Sequence, residues 1–161
     1  MHGKIILTKG TGAGATQIAA FDKALFDAGI ANYNLIRLSS IIPPHRDIVR
    51  EKYITPASDF GHKLYLVYAS EIRHASQGEA WAGIGWVIAK DGTGKGLFTE
   101  HEGSSEQEVR ELIRNTLTSM TEYREEEYSE IHYELVGTAP EDQLYSCAFV
   151  AAVYESEGWK E

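Results

Sequence analysis

The spacing of apolar and polar residues along the chain predicts two helices among seven strands. Apolar residues recur at helical spacing between Thr16, a suitable N-cap, and Gly29, a suitable stop. A second apolar stripe follows the capping-box pair Ser105 and Glu108 and predicts a helix over residues 106–121. The predicted strands are residues 3–9, 33–38, 64–69, 81–89, 97–102, 131–136 and 144–154.

The last predicted strand is apolar on both faces. One face carries Leu144, Ala148, Val150 and Ala152, and the other carries Cys147, Phe149, Ala151 and Val153. A strand buried on both sides lies between two layers. The pattern therefore predicts an α+β fold with packed central sheets and outer helices. The length of 161 residues fits a single domain.

Two segments rich in small or polar residues interrupt the pattern. Residues 39–61 are rich in Pro, Ser, Gly and charge, which predicts a long loop, and loops of that length are usually functional. Residues Gly10 to Ala15 match G-x-G-x-x-A between a strand and a helix. One hypothesis is a nucleotide-binding module that uses this turn. The other is a flexible turn, which is favoured because repeated β-α-β units are missing.

Composition excludes several classes of protein. The formal net charge of −9 argues against binding to a nucleic-acid backbone. No apolar run reaches the roughly 18 residues of a membrane span. The apolar run Ile5–Leu7 is too short for a secretory signal, which predicts a cytoplasmic protein. The single cysteine, Cys147, and six scattered histidines predict neither a disulfide within the chain nor a metal site.

The pair Ser39–Ser40, followed by Pro43 and Pro44, supports two hypotheses. Serines at a strand end before two prolines are typical of a capped, rigid turn. Alternatively, the Ser40 hydroxyl attacks the Ser39 carbonyl, and β-elimination then cuts the chain and leaves a pyruvoyl group at position 40. The side-chain amide of Asn34 is a candidate donor to the developing oxyanion.

Four ordered segments resemble the pyruvoyl-dependent arginine decarboxylases. They are residues 20–25 with 28–30 (AFDKAL and AGI), 34–44 (NLIRLSSIIPP), 96–103 (GLFTEHEG) and 147–152 (CAFVAA), with little likeness over residues 45–75. The resemblance implies self-cleavage between Ser39 and Ser40 into a β chain, residues 1–39, and an α chain, residues 40–161. It also implies an αββα four-layer sandwich, a homotrimer of αβ units or paired trimers, and active sites between neighbouring subunits.

The resemblance also implies a reaction and roles for individual residues. L-arginine forms an imine with the pyruvoyl group derived from Ser40 and loses CO₂ to give agmatine. Glu100 matches the proton donor, with Glu102 as the competing choice two residues along the same strand face. Asp22 matches the partner of the guanidinium group. Ile18 and Ile41 match positions that pack the substrate's methylenes.

Departures from the family leave alternatives open. Ala31 and Tyr33 differ from the residues common in the family near the cleavage segment, and Tyr33 is expected to narrow the pocket. The alternatives are a pyruvoyl decarboxylase of another amino acid and an unprocessed homologue that acts as a binding or regulatory protein. Because decarboxylation consumes a proton, polyamine synthesis and acid tolerance are both candidate roles.

Overall fold

Nine strands and two helices follow one another along residues 3–161, which the structure, a computed structural model, describes. The elements are β1 (Gly3–Gly14), α1 (Gln17–Ala28), β2 (Asn34–Arg37), β3 (Ile41–Ile42), β4 (Arg46–Arg50), β5 (Lys63–His74), β6 (Ala80–Ile88), β7 (Gly96–Gly103), α2 (Glu106–Glu122), β8 (His132–Thr138) and β9 (Tyr145–Glu157). Within these residues, neither helix is long and apolar enough to cross a membrane.

The strands form two mostly antiparallel sheets. The five-stranded sheet has the order β2-β5-β9-β1-β4, and the four-stranded sheet has the order β3-β7-β6-β8. Strand β9 is antiparallel to both of its neighbours, so that Ala152 lies between Leu7 and Val67. Only the pairs β1–β4 and β2–β5 run parallel among the described strands.

Three apolar clusters separate four layers and confirm the predicted αββα sandwich. Between the two sheets lie Ile5, Leu7, Ile42, Val67, Ala82, Ile84, Phe98, Ala148, Val150 and Ala152. Between α1 and the five-stranded sheet lie Ala20, Ala24, Leu64, Leu66, Cys147, Phe149, Ala151 and Val153. Between α2 and the four-stranded sheet lie Val87, Leu97, Val109, Ile113 and Leu117. Alternate residues of β9 enter different cores, as its sequence predicts.

The glycine-rich segment is not a turn, and the prediction of a turn over Gly10–Ala15 was wrong. Gly10, Gly12 and Gly14 continue β1 in register with β9 and alternate onto the face covered by α1. A Cβ at Gly10 would overlap the carbonyl oxygen of Ala24, and one at Gly12 would lie 2.6 Å from the Ala24 nitrogen. The glycines thus allow the backbone of α1 to pack directly against β1. This contact occupies the face of the glycines and argues against the nucleotide hypothesis.

The predicted loop over residues 39–61 was also partly wrong. It contains β3, which pairs with β7, and β4, which extends the five-stranded sheet beside β1. It also contains a 3₁₀ turn at Ala57–Asp59. Both strands are short and carry charge or proline nearby, so their pairing depends on neighbours that are distant in sequence.

The helix ends follow the sequence signals closely. Thr16 Oγ1 accepts from the Ala19 amide at 3.1 Å, and Gly29 takes the left-handed φ of 89° that ends α1. Ser105 Oγ accepts from the Glu108 amide at 3.1 Å. The Glu108 carboxylate, however, accepts from the amide and hydroxyl of Ser104, not from Ser105. The reciprocal half of the capping box therefore lies one residue earlier than predicted.

The close approach of α1 to β1 gives a prediction about stability. A Gly12→Ala substitution places a methyl group against the α1 backbone, which has no room to retreat. We expect it to lower the free energy of unfolding by about 1–3 kcal/mol. The loss should appear as a lower melting temperature in a thermal scan. Gly158→Ala is the matched control, since its Cβ would lie 3.3 Å from the His62 ring, and equal losses in both variants would contradict this account.

Candidate active site

The chain crosses from one sheet to the other at Ser39–Ser40. On one side, the Leu38 amide donates to the Leu66 carbonyl of the five-stranded sheet at 2.8 Å. On the other side, the Ser40 carbonyl accepts from the Phe98 amide of the four-stranded sheet at 2.8 Å. The peptide bond between the two serines is therefore held from two different layers.

Ser40 adopts an uncommon backbone conformation at this crossing. Its φ is 78°, in the left-handed region that favours glycine. A non-glycine residue in this region costs on the order of 1–3 kcal/mol, and the surrounding contacts must hold it there. Such strain concentrates at functional sites, so the conformation of Ser40 agrees with a functional role.

Glu100 contacts the hydroxyl of Ser40. Ser40 Oγ lies 2.8 Å from both carboxylate oxygens of Glu100 and donates to them. Period-2 alternation along β7 places Glu100 on the same face as Phe98, which packs between the two sheets. The pair thus brings a hydroxyl nucleophile and a carboxylate acceptor together at the crossing.

The surroundings of Glu100 favour its protonated form. Burial raises the pKa of the Glu100 carboxyl, and the hydrogen bond from Ser40 and the charge of Arg37 offset this only in part. Loss of solvent also raises the pKa of Glu102, with the neighbouring charge of Glu71 adding to it. Glu100 is the member of this pair that contacts Ser40, so the geometry favours it over Glu102.

Three of the other predicted site residues, Asn34, Asp22 and Ile18, lie apart from Ser40. Asn34 stands at the opposite end of β2, and its Nδ2 donates to the Gly61 carbonyl at 2.9 Å. Asp22 and Ile18 are exposed on α1, outside the five-stranded sheet, whereas Glu100 belongs to the four-stranded sheet. Ile41 directly follows Ser40, and half of its side chain is exposed. Within a single chain, Ser40, Glu100 and Ile41 therefore lie close together. Asn34, Asp22 and Ile18 lie elsewhere and face solvent.

Three neighbours of Ser40 escaped the sequence reasoning. The Phe98 amide binds the Ser40 carbonyl, and the Tyr154 hydroxyl donates to the Ile41 carbonyl at 2.7 Å. Arg37 donates to the Tyr68 carbonyl at 2.7 Å and stacks over that ring at 4.5 Å. Alternation along β9 does place Tyr154 on the face that meets the second sheet, but nothing in the sequence pairs it with Ile41.

Tyr33 belongs to the core and not to a pocket. It is buried beneath α1, where its ring meets Tyr53 edge-on and its hydroxyl donates to Asp59 at 2.6 Å. Burial and that hydrogen bond raise its pKa far above the usual range. This packing removes the reason for expecting Tyr33 to narrow a substrate pocket.

Comparison with known families decides what kind of site this is. The family model described as pyruvoyl-dependent arginine decarboxylase matches residues 4–158. The chain belongs to this family. The resemblance seen in the sequence is thus confirmed over almost the whole chain, and a family of this kind depends on a pyruvoyl prosthetic group.

Relatives in several archaea carry the same family name. A pyruvoyl-dependent arginine decarboxylase of Methanopyrus kandleri is 32% identical over 94% of this chain and 95% of its own length. One of Methanocaldococcus jannaschii is 34% identical over 92% of this chain and 87% of its own. One of Thermoplasma volcanium is 36% identical over 65% of this chain and 58% of its own.

The residues around Ser40 fit the prosthetic group of this decarboxylase family. A pyruvoyl group needs a three-carbon residue at the new chain end, and serine supplies those carbons with a leaving oxygen on Cβ. Ser40 has its hydroxyl on Glu100 and its carbonyl on the Phe98 amide. Ser40, Glu100 and Phe98 are therefore the residues of this chain that would hold the group.

The buried carboxyl of Glu100 gives a prediction about pH and stability. A raised pKa means that the charged carboxylate destabilises the fold, and this cost vanishes as the pH falls through the raised pKa toward that of the unfolded chain. Glu100→Gln removes the charge. In a Ser40→Ala background, we expect the Gln variant to melt higher at about pH 8 and to converge with its parent near about pH 4.

Thermal scans across this pH range check the prediction. Ser40→Ala removes a hydrogen bond that lowers the pKa of Glu100, so it enlarges the effect. Glu155→Gln, at an exposed position on β9, is the control and should show no such convergence. A Glu100→Gln variant that melts lower than its parent at about pH 8 would show that the carboxylate stabilises the fold.

Proposed function

We propose that this chain cuts itself between Ser39 and Ser40 and then decarboxylates L-arginine to agmatine and CO₂. The observation that carries the proposal is the Ser40 hydroxyl on Glu100 at a left-handed residue between two sheets. Membership of the decarboxylase family supplies the reaction class and the substrate. The cytoplasmic location and the role in polyamine synthesis or acid tolerance stay predictions.

Self-cleavage uses groups that already lie together. Ser40 Oγ attacks the Ser39 carbonyl carbon while Glu100 accepts the hydroxyl proton. The peptide C–N bond then breaks, the proton passes to the departing Ser40 nitrogen, and an ester joins Ser39 to Ser40 Oγ. Loss of the Ser40 α-proton then expels the Ser39 carboxylate and leaves dehydroalanine. Addition of water and release of ammonia convert dehydroalanine to the pyruvoyl group. The Phe98 amide, hydrogen-bonded to the Ser40 carbonyl, holds residue 40 in place throughout.

In decarboxylation, the chain's own residues bind the substrate and move one proton. When formed, the pyruvoyl group supplies the electron-withdrawing carbonyl that lets CO₂ leave. Glu100 then delivers a proton to the α-carbon, and burial helps it to hold that proton near neutral pH. Asp22 binds the guanidinium through two hydrogen bonds, while Ile18 and Ile41 pack the methylenes.

The fold keeps both fragments together after the cut. Residues 1–39 include β1, which lies between β9 and β4, and β2, which pairs with β5. Strand β1 is in register with β9 from Ile6 to Gly14. Helix α1 covers the same strand through the glycine contacts. The small fragment therefore remains bound by backbone hydrogen bonds and buried apolar surface.

A shared site between subunits accounts for the separation of the predicted residues. Ser40 and Glu100 come from one part of the surface, and Asp22, Ile18 and Asn34 from others. Large apolar side chains are also exposed, with Ile18 80%, Phe26 68% and Phe60 76% accessible in the single chain. Exposed apolar surface of this kind is typical of interfaces. We propose a homotrimer, alone or paired, in which a neighbouring copy completes each site.

The mass of the purified protein tests the central step. We expect two chains under denaturing conditions, residues 1–39 and 40–161, with the larger blocked to Edman sequencing. Under native conditions they should elute as one species. Ser40→Ala should give a single 161-residue chain without decarboxylase activity. Ser39→Ala is the matched control and should still be cut, since the carbonyl under attack belongs to the backbone.

The outcomes separate the alternatives for function. An intact chain in fully folded protein would favour an unprocessed binding or regulatory homologue. A cut chain that is inactive on arginine but active on another amino acid in a substrate panel would preserve the chemistry and overturn the substrate.

Mixed oligomers test both Asp22 and the shared site. Asp22→Asn should raise KM for arginine roughly 10- to 100-fold, because it removes a charged partner of the guanidinium. Co-expression with Ser40→Ala should restore activity, since a pyruvoyl group from one chain then faces Asp22 of the other. Asp27→Asn, also exposed on α1, is the control. If mixing restores nothing while each variant folds, Asp22 does not act across subunits.

A further inference from the structure

Tyr154 links the five-stranded sheet to the segment that follows Ser40. Its side chain comes from β9, and its hydroxyl donates to the carbonyl of Ile41 at 2.7 Å. Ile41 belongs to β3, in the other sheet. The hydrogen bond therefore spans the two layers one residue after the site of the cut.

The ring of Tyr154 is fixed by its own packing. It lies against the apolar core between the sheets, and its centroid is 6.1 Å from that of Phe98 at an interplanar angle of 63°. A partly buried phenol needs a hydrogen-bond acceptor, and the Ile41 carbonyl is that acceptor here. The hydroxyl is thus held at one place on the processing segment.

Two consecutive carbonyls are therefore bound from opposite layers. The Phe98 amide holds the Ser40 carbonyl, and Tyr154 holds the Ile41 carbonyl. They fix two successive peptide groups, the one between residues 40 and 41 and the one between residues 41 and 42. Ser40 has a φ of 78°, which most side chains avoid, so its conformation depends on contacts of this kind. A shift of these two peptide groups would move Ser40 and carry its hydroxyl away from Glu100.

We propose that Tyr154 is a positioning residue for the Ser39–Ser40 cut. Through the Ile41 carbonyl, it holds Ser40 in the left-handed conformation that places its hydroxyl on Glu100. Tyr154 touches none of the reacting atoms of the cut. Once the chain is cut, residue 40 loses its covalent link to Ser39, and the Tyr154 bond remains as one anchor of the new chain end. This inference rests on the proposed self-cleavage.

The test is a time course of cutting in freshly synthesised precursor, followed by mass spectrometry under denaturing conditions. The variants at position 154 are Tyr154→Phe, 4-methylphenylalanine and 4-aminophenylalanine. The last two have similar shapes, but only the amino group can donate to the Ile41 carbonyl. Tyr145→Phe makes the same change at the other end of β9 and is the control.

We expect Tyr154→Phe and the methyl analogue to be cut about five- to tenfold more slowly, as for the loss of one hydrogen bond. The amino analogue should recover most of the rate, and Tyr145→Phe should match the parent. Melting temperatures measured in parallel show whether each precursor is folded at the assay temperature. If Tyr154→Phe fails to fold, the amino and methyl analogues decide the question, because they differ mainly in the donor.

Other outcomes overturn the inference. Cutting of Tyr154→Phe at the parent rate would show that the hydroxyl does not position Ser40. Equal slowing in Tyr145→Phe, or in both analogues alike, would assign the effect to packing. A parent chain that is never cut would overturn the proposed function as well, whereas a parent that is cut and active leaves that function standing whatever the variants do.

Discussion

The burial of β9 on both faces is the constraint on which the other layers depend. From Cys147 to Val153, each side chain of this strand enters either the core beneath α1 or the core between the sheets. Because its neighbours β5 and β1 lie on either side, β9 also supplies the hydrogen bonds that unite the five-stranded sheet. Small residues such as Ala148, Ala151 and Ala152 let both layers approach closely. Every element that positions Ser40 is attached directly or indirectly to this strand.

The site lies where the chain crosses from the five-stranded sheet to the four-stranded sheet. A chain that leaves one sheet and joins the next within two residues has few backbone conformations available, and Ser40 takes a strained one. Burial of Glu100 likewise lowers the stability of the fold when the carboxyl is charged. The same burial raises its pKa, which suits a group that carries a proton. The two features are coupled by a hydrogen bond, so neither is explained without the other.

Local sequence signals predicted what depends on local physics. The caps at Thr16 and Gly29, the stripe of α2 and the alternation of β9 all follow from residues within one element. The glycines of β1 were misread because a close approach between strand and helix has the same composition as a turn. The short strands β3 and β4 were missed because their partners lie far away in sequence. For the site, the residues alone left two hypotheses for Ser40, and the family resemblance favoured self-cleavage and supplied Glu100. The Phe98 amide and the Tyr154 hydroxyl depend on packing between sheets.

The position of β1 inside the five-stranded sheet has a consequence for refolding. The uncut precursor folds as one chain, so its folding rate does not depend on concentration. Under the proposed self-cleavage, the same architecture would consist of two chains, and a molecule that unfolds would have to find its missing strand by diffusion. Refolding would then be bimolecular, and the small fragment would have to insert between β9 and β4 instead of adding at an edge. Activation would thus change the molecularity of folding and make native assembly a largely one-time event for each chain.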